Sequence, residues 1–94
     1  MGNPGVHVLA TPALVHLCER AAVNALQEGD ATVALRSTVA HVAAAPLAAE
    51  VTATAKLEEE DGARLTFSVE ARMGDLVLMA GTHERRLVAR QDQP

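Results

Sequence analysis

A hydroxyl, a carboxylate and an imidazole stand on otherwise apolar segments of this chain, and together they suit acyl transfer. The hydroxyl is Thr11, in Val8-Leu-Ala-Thr-Pro-Ala-Leu-Val15, and the carboxylate is Glu19, eight residues on. The imidazole is His41, in Val39-Ala-His-Val-Ala-Ala-Ala-Pro46. A further polar group, Gly81-Thr-His-Glu-Arg85, interrupts the last strand-like stretch.

Each has a plain structural reading beside the chemical one. Thr11 precedes Pro12, which suits the N-cap of a helix that starts on proline. A hydroxyl there can also meet an oxyanion, because free N–H groups point the same way. Glu19 has Val15, Ala22, Val23 and Leu26 around it, a costly setting for a carboxylate that is not paired, hydrogen-bonded or protonated. A pair with His16 or Arg20 is one answer and a functional role the other. His41 ends a strand on the face of Val33, Leu35 and Val39, as a hydrogen-bonded core histidine or as a proton carrier. His83 and Arg85 share a strand face with Gly81, Val77 and Met79. The choice there is between a half-exposed edge of solvated charge and a cation that meets phosphate or carboxylate. Cys18 reads as a buried small hydrophobe, and Glu58-Glu-Glu-Asp61 as a solvated hairpin end. The histidines, at 7, 16, 41 and 83, lack a ligand spacing such as H-E-x-x-H, so no metal site is expected.

The elements that must position these groups follow from periodicity. A helix is expected from Pro12 to Gln27 or Glu28, closed by Gly29. Its apolar residues cover more than one face, which predicts a helix wrapped on most sides. After Gly29-Asp30 the period changes to two. Strands are expected from Val33 to about Ala43, over Glu50–Leu57, over Arg64–Ala71 and from Leu76 to Ala89. Asp61-Gly62 and Gly74-Asp75 mark tight turns. Met1–His7 and Arg90–Pro94 read as irregular. The order predicts an α+β fold in which one apolar helix lies against an antiparallel meander of four strands.

With 94 residues the chain is one domain. Ala and Val supply most of its apolar 49%, and Phe67 is its one aromatic residue. That scarcity of large side chains points to a subunit interface as a source of packing energy. A net charge of −4, with no basic face and no aromatic platform, argues against nucleic-acid binding. No apolar run is long enough to span a bilayer and no secretory leader is read, so a cytoplasmic protein away from the membrane is expected.

Taken in order, the four segments resemble the fluoroacetyl-CoA thioesterase-like branch of the hotdog thioesterases. They are Val8-Leu-Ala-Thr-Pro with Glu19, His41 in His-x-Ala-Ala-x-Pro, Asp61-Gly-Ala-Arg-Leu, and Gly81-Thr-His-Glu-Arg85. The resemblance implies a hotdog fold, with a central helix wrapped by an antiparallel sheet. It implies hydrolysis of an acyl-CoA thioester by Thr11, Glu19 and His41, with Arg85 near the acyl-CoA site. A homodimer is implied, with pairing of dimers left open. Coenzyme A enters only as part of the substrate, and no other cofactor is implied. Relative to the family pattern, the strand before Val8 is short or missing. Ala34 stands at the substrate-binding position where a glycine is typical, and Leu47-Ala48 stand where Pro-Gly is expected. The aromatic lid that suits fluoroacetyl groups would fall in the absent or Gly-rich N-terminus, so fluoroacetyl preference is not expected to carry over. The alternative reading is a non-catalytic hotdog module that binds acyl-CoA or a protein partner.

Overall fold

The computed structural model describes residues 11–26, 29–46 and 49–89. They form α1 (Thr11–Asn24), β1 (Ala31–His41), β2 (Thr52–Asp61), β3 (Arg64–Met73) and β4 (Leu76–Ala89). The expectations for Met1–His7, the strand before Val8, Leu47-Ala48 and Arg90–Pro94 fall outside the described residues.

Helix α1 buries Leu14, Cys18 and Ala22, one residue per turn at spacing four. The expectation of a helix wrapped on most sides is not met. Leu14, Cys18 and Ala22 are covered fully, Val15 and Leu17 beside them only in part, and Val23 stays exposed. The helix also ends sooner than expected, at Asn24. Its last turn tightens, with the Ala25 N–H shared between the Ala21 and Ala22 carbonyls and the Leu26 N–H on Val23.

The strands form one antiparallel sheet in the order β1-β4-β3-β2. This corrects the simple meander. Strands β2, β3 and β4 follow one another as hairpins, with Gly62 and Gly74 at positive φ in the turns. Strand β1 pairs with β4 instead of β2, so the chain after His41 crosses to the other edge. Strand β3 is interior, and its alternate residues Leu65, Phe67, Val69 and Ala71 are buried beneath the helix. Full burial of Phe67 is worth about 2–3 kcal/mol. The opposite sheet face is polar, as suits a sheet with one wet side. It carries an Arg64–Glu84 ion pair and an Arg72–Glu70 pair at 2.8 Å.

Three local features set the site geometry. A register irregularity between Ala34 and Arg36 puts Leu35 in a bulge. Val33 pairs with Arg86 while Ser37, Val39 and His41 pair with His83, Gly81 and Met79. Val33 therefore lies on the opposite face from His41, contrary to the even alternation expected. A second irregularity skips Leu78, whose carbonyl accepts from the Val42 and Ala43 N–H groups at 2.7 and 3.3 Å. That clamp fixes the backbone just beyond His41, and it turns Val77 away from the face of Met79. The third feature is Gly81, where β1 closes in: a Cβ there would meet the Thr38 carbonyl oxygen at 2.1 Å.

Candidate functional site

The first residue of α1 meets the last residue of β1. The Thr11 Oγ1 lies 2.8 Å from His41 Nδ1, with both side chains exposed. Of the two readings of Thr11, the contact supports more than a cap, since its hydroxyl engages an imidazole thirty residues away. Either the hydroxyl donates to an unprotonated Nδ1, or an Nδ1–H donates to the hydroxyl. The first arrangement is the one that loosens the hydroxyl proton.

Glu19 lies two turns further along α1, about 12 Å by helical rise. It is partly buried and makes no ion pair with His16 or Arg20 among the described residues. Its charge is felt instead by its neighbours. The Cys18 thiol is pushed above its ordinary 9.0, first by burial and then by Glu19. Cys18 is a buried core residue, as its sequence setting suggests.

Glu19 also acts on His83, and here one of the two sequence readings falls. His83 is not a solvated edge residue: it is 1% exposed, on the helix-facing side of β4. Its Nδ1 lies 2.6 Å from Ser37 Oγ on β1, and its Nε2 lies 3.0 Å from Arg85 Nη1. Burial, then the Arg85 cation, hold the imidazole below its ordinary 6.5. Weaker opposing pulls come from Glu19, a hydrogen bond with the Arg36 backbone, and Glu84. Ser37 was not singled out from the sequence. The signal was there, because Ser37 is a polar residue at an inward position of an alternating strand.

Arg85 is held from β1 as well. Its Nε donates to Thr32 Oγ1 at 2.7 Å, and Nη2 reaches the Thr32 carbonyl at 3.4 Å. Ala34 is the register partner of Arg85, so the two expected substrate-binding positions are adjacent. Arg85 borders a cavity of about 510 Å³ at the C-terminal end of α1, with Val23, Leu26, Asp30 and Thr32. The Ala34–Arg85 pair and the His41–Met79 pair are six residues apart on β4, on the order of 20 Å. The expected residues thus fall at two separate places along the β1–β4 pair. Thr11 with His41 forms one, and Ala34 with Arg85 the other. Glu19 lies between them along the helix. Among the described residues no cluster of His, Cys, Asp or Glu could hold a metal ion, and no helix is long and apolar enough to cross a membrane.

The sequence model of the fluoroacetyl-CoA-specific thioesterases, the FlK family, matches residues 1–91. The chain belongs to that family. It is 38% identical over 85 residues to the fluoroacetyl-CoA thioesterase of Streptantibioticus cattleyicolor, a match covering 86% of this chain. The chain spans 61% of the length of that curated relative. Among solved structures it is similar to a point mutant of the fluoroacetyl-CoA-specific thioesterase FlK in complex with fluoroacetate and CoA. That similarity has a TM-score of 0.77 at 38% identity, over 86% of this chain and 68% of the other. A hot-dog-like protein from Thermanaerovibrio acidaminovorans matches with a TM-score of 0.77 at 29% identity, over 88% and 64% of the two chains. One helix packed on an antiparallel sheet in this family is the hotdog arrangement, as the sequence resemblance implied.

Proposed function

We propose that this protein hydrolyses an acyl-CoA thioester to the free acid and coenzyme A, with Thr11, Glu19 and His41 as its acting set. The observation that carries the proposal is the 2.8 Å contact between the Thr11 hydroxyl and the His41 imidazole at the start of α1, in a chain of the FlK family. The thioester carbonyl is polarised by Thr11 and the helix N-terminus. Helical side chains lean toward the N-terminus, so Glu19 on α1 is directed toward the Thr11 end of the helix. Glu19 attacks the carbonyl carbon or holds the water that does. The C–S bond breaks and coenzyme A leaves as the thiolate. His41 takes a proton from the attacking water and delivers it to the sulfur, and where Glu19 itself attacks, water then cleaves the Glu19–acyl anhydride to the free acid. Thiolate is a good leaving group, so the chemistry asks for no metal or redox cofactor.

Arg85, with Ala34 beside it, serves the substrate as a cation for a carboxylate or phosphate. A crystal structure of FlK holding fluoroacetate and CoA supports acyl-CoA as the substrate class. The enzyme is proposed to be a cytoplasmic homodimer. Cys18 as a free thiol fits a reducing compartment. The outer edge of β1, unpaired among the described residues, with Val33 and Leu35 47% and 49% exposed, fits a second copy.

The test is thiol release from a panel of short-chain, branched and aryl acyl-CoAs, with Glu19→Gln and His41→Ala run alongside. Release lost in both variants supports the hydrolase. No release from any ester by a folded protein sinks it, and saturable coenzyme A ester binding would then assign a non-catalytic binding module.

A further inference from the structure

Hydrogen-bond accounting fixes the state of His83. A guanidinium can only donate, so the 3.0 Å contact with Arg85 Nη1 requires a bare lone pair on Nε2. The one proton of the neutral ring is then on Nδ1, where Ser37 Oγ at 2.6 Å accepts it. A second proton on His83 would set N–H against N–H and break the hold on Arg85. Arg85 has five N–H groups, and Thr32 and His83 engage three of them. Among the described residues one N–H on each terminal nitrogen has no partner, and two such donors suit a planar oxyanion. Among the described residues, the polar and charged groups that act on the ring are Ser37 and the Arg36 backbone from β1, Arg85 and Glu84 from β4, and Glu19 from α1. Phe67 of β3 is its apolar register partner.

We propose that His83 is a positioning residue: as a neutral Nδ1–H imidazole braced by Ser37, it holds the Arg85 guanidinium with its two-pronged end free for a substrate oxyanion. The proposal rests on the acyl-CoA reading above only for the identity of the ligand. An arginine held solely by Thr32 could swing about its long side chain. Fixing it from two sides removes rotamer freedom before the ligand arrives. The oxyanion is a phosphate of coenzyme A or a carboxylate on the acyl group, and the two differ in what a test reads.

Two measurements on the full chain decide the matter. Long-range ¹H–¹⁵N spectra of histidine-labelled protein should show His83 with a proton on Nδ1 and none on Nε2 at neutral pH. An Nε2–H tautomer or an imidazolium overturns the proposal whatever the protein catalyses. Kinetics then compare His83→Leu, which lacks an acceptor, with His83→Gln, which keeps one. The expected result is a KM for acetyl-CoA about tenfold higher in His83→Leu, kcat within about twofold, and recovery in His83→Gln. If acetyl-pantetheine shows no such rise, the oxyanion is a phosphate. A rise confined to succinyl-CoA marks an acyl carboxylate. Unchanged KM for all of these esters, or equal losses in both variants, overturns the proposal. If no ester turns over, the hydrolase reading fails separately, and the spectra with free coenzyme A affinity across the same variants still decide this one.

Discussion

The Thr11 hydroxyl and the His41 imidazole lie 2.8 Å apart, joined across the junction of a helix start and a strand end. Neither is locked in the core, so their contact depends on where α1 and β1 stop. Removing either partner should cost activity and little fold. Thr11→Ala and His41→Ala should each lower kcat/KM by about 10²-fold or more, with unfolding midpoints near wild type. Thr11→Ser keeps the hydroxyl and should keep most of the rate. A serine variant as inactive as the alanine one would remove the hydroxyl from the chemistry.

Glu19 separates stability from function more sharply. It is a partly buried carboxylate with no ion pair among the described residues, so its charge is a burden to the fold. Glu19→Gln should leave the melting temperature unchanged or raise it, while hydrolysis falls by about 10²-fold or more. A variant that unfolds earlier would show that the carboxylate serves structure instead.

Gly81 governs the site from a distance. A Cβ would sit 2.1 Å from the Thr38 oxygen and 2.6 Å from Val39 Cα, both backbone atoms. Strand β1 must move away to admit it, and His41 moves with β1. Gly81→Ala should cost about 3 kcal/mol in urea unfolding and lower kcat in the same protein. Stability within about 0.5 kcal/mol of wild type would mean that the sheet absorbs the methyl group elsewhere.

His83 gives the fold a dependence on pH. Its folded pKa lies below the ordinary 6.5, so in the window between the two values the unfolded chain binds more protons. Stability contributed by the neutral ring is present above 6.5, falls as the pH drops through that window, and levels off once the folded ring also protonates. Urea midpoints from about pH 8 to about pH 5 should therefore decline more in wild type than in His83→Gln. Because Glu19 pulls the His83 pKa upward, Glu19→Gln should widen the window toward acid. Parallel declines in wild type and His83→Gln would show that other groups set the slope.

Element types and turns were legible because each has a local cause. The Thr11-Pro12 start, the change of period after Gly29, and Gly62 and Gly74 all act within a few residues. Strand β4 falls on its expected bounds, Leu76–Ala89. Partnership between β1 and β4 was not legible as a meander, because alternation gives a strand its faces and not its neighbour. The bulge at Leu35 also reversed the face of Val33, and nothing in the local alternation marks it. The solvated-edge reading of His83 fails for a related reason: Glu84, Arg85 and Arg86 follow it in sequence, but β4 is interior, so its inward residues lie under the helix. Thr11 and His41 were each visible as candidates, while their contact needed the three-dimensional path between them.

Strand order has a consequence for how the molecule assembles. Hairpins β2–β3 and β3–β4 close over short turns, whereas β1 must find β4 across all of residues 42–75. Distant pairings cost more chain entropy before they return any contact. During refolding the hairpin meander should thus gain protection first, and pulse-labelled hydrogen exchange should find β3 amides shielded ahead of those of β1. Thr11 and His41 then meet only in the closing step, so a partly folded chain carries the hairpins without that contact.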